Sequence, residues 1–324
     1  MNTKSKKVLA LLMVLILGTT LLSGCIRAKE EYIENEKDEQ SSEVETTDSP
    51  YPMEVEDDFG NKVTIDKKPE RIISLAPSHT EILFKLGLSD SIVGVTSICD
   101  YPKEAKTKEI VGDSMTVDVE KVIALEPDLV LHYGSDKEKE YIQRLRDAEI
   151  NVLSYQPESI QEVIDLIIEI GRITQTQVAA TKTTVDMMSK MDYIVHTVEE
   201  VDKPKVFYEV WHDPLMTAGP GSFIDELITL AGGENIAKDA QGLYPQFELE
   251  QLIERNPDVY ISSDNGGQTT KESIMSREGY ETLSAVKNDR VYILDANIIS
   301  RPGPRIVDGL EMIAKAIHPE LFKK

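Results

Sequence analysis

The sequence predicts an α/β fold of two lobes, each built on a mainly parallel sheet, joined by one long α-helix. Three observations carry that expectation. From Val55 onward, short apolar runs alternate with amphipathic ones, the pattern of βαβ units. Between Gln175 and Val201 the alternation stops for a stretch without proline or glycine, and after Lys203-Pro204 it restarts. A helix, Pro-Asp turn and strand in the first half also return in the second.

In the first half, Ile72-Ile73-Ser74-Leu75 reads as a buried strand. Ser78-His79-Thr80-Glu81 follows with the spacing of a capping box, opening a helix that carries Ile82, Leu83 and Leu86. Residues 92–95, 129–133 and 150–153 are the next strands, with a helix over 137–148 between the last two. Ser159 and Glu162 form a second capping box before the helical stripe Ile160, Val163, Ile164, Ile167 and Ile168. The proline-free stretch spreads Val178, Val185, Met188, Met191, Ile194, Val195 and Val198 among polar residues. As a helix it spans roughly 40 Å, the width of a domain. Residues 175–202 are therefore assigned as the connector, 55–174 as the first lobe and 203–324 as the second. In the second lobe, residues 206–210, 259–261 and 291–294 read as strands, and Ser222 caps a helix through Leu230. A last helix runs over 304–317, with Pro304 in its first turn. The repeat aligns 119–131 with 249–261 and puts Glu120 and Glu250 at the same point near a helix start.

The first 24 residues have a different character. Lys4, Lys6 and Lys7 precede an apolar run from Val8 to Leu22, which closes on Leu22-Ser23-Gly24-Cys25. The run is shorter than the ~20 residues that span a bilayer, and the segment resembles a bacterial lipoprotein signal peptide with its lipobox. That resemblance implies cleavage before Cys25 and lipid on its thiol, holding an extracytoplasmic protein at the cell membrane. Residues 25–54 are rich in Glu, Ser and Thr without periodicity, and are expected to form a disordered acidic tether. The formal net charge of −23 excludes the basic face that nucleic acid requires. With Cys25 lipidated, Cys99 has no partner for a disulfide and is expected to be a small buried group.

Further motifs have a familiar order. Arg71-Ile72-Ile73-Ser74-Leu75-Ala76-Pro77-Ser78-His79-Thr80-Glu81 is followed by Asp213-Pro214-Leu215-Met216-Thr217-Ala218-Gly219 and Ala231-Gly232-Gly233-Glu234-Asn235-Ile236. Ala285-Val286-Lys287-Asn288-Asp289-Arg290-Val291-Tyr292 and Arg301-Pro302-Gly303-Pro304-Arg305 complete the series. From Val55 to Lys324 the chain resembles the metal-chelate solute-binding proteins, which serve ABC importers of cobalamin, ferric siderophores and haem. The resemblance implies two Rossmann-like α/β lobes bridged by a long helix, with the ligand in the cleft between them. It implies as partners a permease dimer with a cytoplasmic ATPase and a small metal chelate, and no resident cofactor; the protein itself is expected to be a monomer. The cobalamin-binding branch is the nearest in its residues.

Carried over position by position, Tyr133 and Tyr244 take the places of cleft aromatics and Arg301 that of the cleft arginine. Met216 stands where a phenylalanine would be and Asn297 where an aspartate would be. Ile98 and Ser114 replace aromatics of the cobalamin binders. Glu120 and Glu250 match glutamates that meet arginines of the permease. The residues themselves add His79, Trp211 and His212, each expected in a loop after a strand, where α/β lobes place ligand-facing groups. The guanidinium of Arg301 suits a carboxylate, phosphate or catecholate oxygen. A haem would need an axial His, Tyr or Met, and His79, Tyr133, Met216 and His212 leave that open. The five histidines are scattered without metal-ligand spacing, so no bound metal is expected. No hydrolase or phosphate-loop motif is present, so an extracellular hydrolase has no sequence support, and the chain is expected not to be an enzyme. The expectation is a lipid-anchored receptor for a corrinoid, with a ferric siderophore or haem as the alternative.

Overall fold

The computed structural model describes residues 49–135, 139–264 and 269–323; the signal segment, Cys25 and most of the acidic tether lie outside them. The tether assignment runs too far at its C-terminal end. Strand β1 (Met53–Glu56) already pairs with β2 (Lys62–Ile65), and Met53, Val55 and Ile65 are buried. Asp57 holds the hairpin turn, its carboxylate accepting from the Phe59 and Asn61 amides at 3.0 and 2.9 Å and from the Ser154 amide at 3.0 Å. One carboxylate thus shapes the turn and moors it to the first sheet.

That sheet contains β3 (Ile72–Ser74), β4 (Ile92–Val95), β5 (Leu129–Tyr133) and β6 (Val152–Tyr155) in the order β4-β3-β5-β6, all parallel. Its strands are buried on both faces, as a doubly covered parallel sheet requires. Helices α1 (Pro77–Lys85), α2 (Val119–Ala124), α3 (Glu140–Asp147) and α4 (Ile160–Ile173) supply the cover. Strand alternation sorts the side chains. Leu129 and Leu131 join Ile82, Leu83 and Ile167, while Val130 on the opposite face joins Val122, Ile142 and Leu145.

The connector is α5 (Gln177–Val198). It is shorter than the 175–202 assignment because Gln175 takes a left-handed backbone (φ 55°) that separates it from α4. It spans about 33 Å at 1.5 Å per residue and lies against α4 and the last helix of the chain, with Ala180, Met187, Ile194 and Val198 buried. Gly171 makes the α4 crossing possible, since a Cβ there would stand 2.5 Å from the Ala180 Cβ.

The second sheet contains β7 (Lys205–Trp211), β8 (Met216–Thr217), β9 (Glu234–Asn235), β10 (Val259–Asp264) and β11 (Val291–Asp295). The order is β11-β10-β7-β8; β9 pairs with β7, and β8 is the antiparallel member. Helices α6 (Phe223–Leu230), α7 (Leu249–Arg255), α8 (Lys271–Met275), α9 (Ser284–Lys287), α10 (Ala296–Ile299) and α11 (Ile306–Ile317) surround it. Val206, Tyr208 and Ile261 face Ile228, Leu310 and Ile313, whereas Phe207 and Tyr260 face Phe247, Leu252 and Tyr280. The first of these groups belongs to the same apolar cluster as Leu129, Ile167 and Ile194, so one core runs through both lobes and the connector.

The repeat is a structural fact. Just beyond the helix ends, Glu126 after α2 (φ 46°) and Asn256 after α7 (φ 45°) are both left-handed. In each lobe the Asp after the proline then takes the same bonds: Asp128 from the Arg71 amide at 3.1 Å and Asp258 from the Lys205 amide at 2.9 Å. Four local expectations are corrected. Ser78 does not cap α1, which begins at Pro77 with Ala76 at its cap, proline filling the position whose N–H has no helical partner. Ser159 caps α4 by accepting from the Glu162 amide, but Glu162 reaches the Glu158 amide instead of completing a box. Strand β6 starts two residues later than expected because Ile150 still bonds Leu145 in the turn after α3. Helix α11 starts at Ile306, after a turn in which the Ile306 amide bonds the Gly303 carbonyl, so Pro304 precedes it.

A shared core predicts a single unfolding event. Ile194→Ala removes a fully buried side chain from the connector and is expected to destabilise the whole protein by about 2–5 kcal/mol. Urea unfolding followed by circular dichroism and by Trp211 fluorescence should give coincident curves for the variant and its parent. Two separated transitions would mean that the lobes fold independently.

Candidate ligand cleft

Parallel strands bring their C-terminal ends, and the loops after them, to one edge of each sheet. In the first lobe Leu75, Ala76, Ile98, Ser114, His132 and Tyr133 line a cavity of about 240 Å³. In the second, Tyr208, Val210, Phe223, Tyr244, Ser263 and Ser300 line one of about 280 Å³. Tyr133 and Tyr244 are 39% and 46% exposed, two of several large side chains, Trp211, Tyr101 and Ile98 among them, that the fold leaves open to solvent. Burial first, then the charges of Tyr244 and Glu158, push the Tyr133 hydroxyl up from its ordinary value. Burial and the same Glu158 raise Tyr244. Each lobe thus contributes one amphipathic ring on which the Glu158 charge acts.

The other anticipated site residues are placed differently. His79 is not in a loop; it sits in the first turn of α1, wholly buried, with neither ring nitrogen hydrogen-bonded. Its ring lies 6.0 Å from that of Tyr133 and 6.3 Å from that of Tyr155, so it backs the Tyr133 wall without facing solvent. Trp211 ends β7, half exposed, its indole N–H donating to the Asp213 carbonyl at 2.8 Å. Met216 pairs with it across β8, and exposed His212 lies in the turn between them. None of these three lines either cavity. Asn297 is exposed on α10, and its carbonyl accepts from Arg305 at 3.3 Å.

Arg301 is committed elsewhere. Its Nη1 donates to Asp100 Oδ1 at 2.6 Å and lies 3.5 Å from Glu81 Oε1. Arg305 holds the same Glu81 in a fork, with Nε to Oε2 at 2.8 Å and Nη2 to Oε1 at 2.6 Å, and its guanidinium stacks 3.9 Å above the Tyr101 ring. Glu81 is 4% exposed. Desolvation works against the ionised form of Asp100, but the hydrogen bond and charge of Arg301, with Lys106 behind them, hold its carboxyl below the ordinary range. Two carboxylates of the first lobe and two guanidiniums of the second thus form a clamp between the lobes. The sequence reading took Glu81 for a helix cap and Arg301 for a ligand contact. The signal it passed over was the pair Arg301 and Arg305, four residues apart around Pro302-Gly303-Pro304.

A second buried charge group was also missed. Glu209 of β7, 2% exposed, is bonded by Arg277 and by the Tyr260 hydroxyl. Cys99 is buried as expected and lies within hydrogen-bond distance of Thr80 and Thr96. Glu120 and Glu250 occupy equivalent first-turn positions of α2 and α7, both exposed; Glu120 pairs with Arg144 at 2.7 Å.

Burial, with His132 as a smaller cause, lowers the His79 pKa to about 3 from its ordinary 6.5. A base depressed on folding stays neutral in the native state while the unfolded chain takes up its proton. His79 therefore contributes fully to stability above pH 6.5, and that contribution is lost as pH falls from 6.5 toward 3. The loss is about 1.4 kcal/mol per pH unit. Denaturation of His79→Phe across that range should show a pH slope shallower by about this amount than the parent. Equal slopes would place a charged or solvated histidine at this position.

Residues 72–298 match the periplasmic binding protein family. An ABC transporter substrate-binding lipoprotein of Bacillus subtilis, YvrC, described as uncharacterized, is 35% identical over 317 residues, 96% of this chain and 97% of its own. A vitamin B12-binding protein of Vibrio cholerae is 30% identical over 244 residues, 75% of this chain and 87% of its own. The crystal structure of a possible iron-binding (periplasmic solute-binding) protein from Staphylococcus epidermidis superposes with a TM-score of 0.71 at 34% identity, covering 78% of this chain and all of that one. With two lobes, a bridging helix and a cleft at the strand ends, the chain belongs to the periplasmic binding proteins, as a substrate-binding protein of the ABC-importer, metal-chelate class.

Proposed function

We propose that the protein captures a corrinoid in the cleft between its lobes and delivers it to an ABC permease, acting as a receptor and not as an enzyme. The observation that carries this reading is the pair Tyr133 and Tyr244, half-exposed rings from opposite lobes that each border a cavity. A flat, amphipathic macrocycle buries area against such rings while its polar substituents meet hydroxyls. The vitamin B12-binding relative supports the corrinoid. An iron chelate is the second reading, supported by the Staphylococcus epidermidis protein described as possibly iron-binding. Arg301 enters this reading as a clamp residue and not as a ligand contact. Anchoring through lipid on Cys25 is part of the proposal and agrees with the lipoprotein name of the Bacillus subtilis relative.

Two experiments test it. Protein purified from its native host should carry ligand with corrin absorption, whereas porphyrin or ferric-siderophore bands would replace the corrinoid by the second reading. Tyr133→Ala with Tyr244→Ala should weaken cyanocobalamin binding at least tenfold and leave the melting temperature of the free protein nearly unchanged. Wild-type affinity would remove the cleft assignment.

Docking is proposed to use Glu120 and Glu250, one exposed carboxylate on each copy of the repeat, against two similar cationic sites of a paired permease. Alone, either residue serves its helix through the dipole, for about 0.3–1 kcal/mol. Replacing both by Ala should leave ligand affinity intact and abolish receptor-stimulated uptake in vesicles containing the permease. Normal uptake would leave only the helix-dipole role.

A further inference from the structure

The cavity of about 280 Å³ in the second lobe is lined by four hydroxyls and by no charged side chain. Tyr208, Tyr244, Ser263 and Ser300 supply the hydroxyls, and the rest of the wall is apolar. Strand alternation sorts the groups in this way. Tyr208 and Val210 of β7 line the cavity, whereas Glu209 between them turns away and is held by Arg277 and the Tyr260 hydroxyl. Ser263 lies on the same face of the neighbouring strand, two residues beyond Ile261, the register partner of Tyr208. Tyr208 and Ser263 are 3% and 5% exposed and form the floor, while Tyr244 and Ser300 are exposed at the rim.

An anionic ligand group would find little here to offset its lost hydration. The two guanidiniums that follow Ser300 in the chain, Arg301 and Arg305, are bound to Asp100 and Glu81. The start of α6, where Phe223 and Ile224 join the wall, is already satisfied by its own side chains. The Ser222 hydroxyl accepts from the Asp225 amide at 3.2 Å. The Asp225 and Glu226 carboxylates accept from the Gly221 and Ile160 amides, each at 3.0 Å. The charge that acts on the Tyr244 hydroxyl is negative, that of Glu158. Burial raises the Tyr208 hydroxyl, and the hydrogen bonds of Ser263 and Ser300 only partly offset it, so Tyr208 is a neutral phenol. Neutral hydroxyls both donate and accept, but burying a charge against neutral donors alone is unfavourable.

We infer that this cavity is the subsite for an uncharged arm of the ligand that both donates and accepts, a primary carboxamide, and that it rejects carboxylates. The inference rests on the cleft reading and deepens it. Pockets for whole ligands run from about 300 Å³ upward, so a cavity of this size takes a substituent and leaves the macrocycle to the rings of Tyr133 and Tyr244. The carboxamide N–H donates to the Tyr208 or Ser263 oxygen while its carbonyl accepts from Ser300. The side arms of a corrinoid are carboxamides. Those of haem are propionates, and the oxygens of a catecholate chelate are anionic. The chemistry of the wall therefore favours an amidated macrocycle over both.

Equilibrium dialysis of the full chain at neutral pH tests the subsite with two probes: dicyanocobinamide, whose arms are amides, and dicyanocobyrinic acid, whose arms are carboxylates. The parent should bind the amide form at least a hundredfold more tightly. Ser263→Ala with Ser300→Ala should weaken the amide form at least tenfold and leave the acid unchanged, so the preference falls by the same factor. Ser300→Lys, at an exposed position, should strengthen binding of the acid at least tenfold, a gain that a folding defect cannot produce. Equal affinity of the parent for the two probes, or no gain for the acid in Ser300→Lys, would overturn the inference. If neither corrinoid binds, the corrinoid reading fails by itself and the subsite is read from iron chelates. Ferrichrome, a neutral ferric hydroxamate, should then bind and the anionic ferric enterobactin should not, with Ser300→Lys moving affinity toward the anion. Binding of the anion as tightly as the neutral chelate, or of neither, would overturn the subsite as well.

Discussion

One apolar cluster holds the molecule together. It passes from Leu129 and Leu131 of the first sheet, through Ile164 and Ile167 of α4 and Ile194 of the connector, to Val206, Ile261 and Ile313 of the second lobe. Lobes that share a core cannot swing apart without exposing it, at about 25 cal/mol for each Å² of apolar surface. The helical connector enforces the same stiffness, since bending it would break its hydrogen bonds or uncover Met187 and Ile194. The proposed cleft is accordingly a site formed in advance, with walls whose spacing folding has already set.

Electrostatics strengthens that arrangement at the lobe boundary. Glu81 and Asp100 on one side and Arg301 and Arg305 on the other close a charge network in which Glu81 is almost fully buried. Buried pairs of this kind add little over apolar packing, but removing one member leaves an uncompensated charge and is strongly destabilising. Their value is in register: the network fixes which loop of the second lobe meets α1. His79, two residues before Glu81, remains neutral inside the same helix and keeps the Tyr133 wall apolar from behind.

The acidic face of α4 has the opposite character. Its buried side, with Val163, Ile164 and Ile167, is part of the shared core, while its outer side carries a row of like charges. The helix persists because packing outweighs the few tenths of a kcal/mol that each like-charge pair opposes. A stable scaffold can therefore carry a charge row that it would not form for its own sake.

The sequence by itself determined the α/β class, the parallel strands β3 to β7, β10 and β11, the bridging helix and the Glu120–Glu250 repeat. Each rests on a local signal: a period of 2 or 3.6, a Pro-Asp turn, or a long stretch free of breakers. Tyr133 and Tyr244 came from the resemblance to the metal-chelate binding proteins, whose cleft aromatics they replace position for position. Only the tertiary structure decided the fates of His79, Glu81 and Arg301. Their roles depend on partners more than 20, and in the clamp about 200, residues away in the chain, and no local pattern encodes which of two carboxylates a guanidinium will meet. The same is true of the hydroxyl-lined cavity in the second lobe. Strands β7 and β10 can be read from their apolar runs, but Tyr208, Ser263 and Ser300 meet only once parallel pairing brings residues tens of positions apart together.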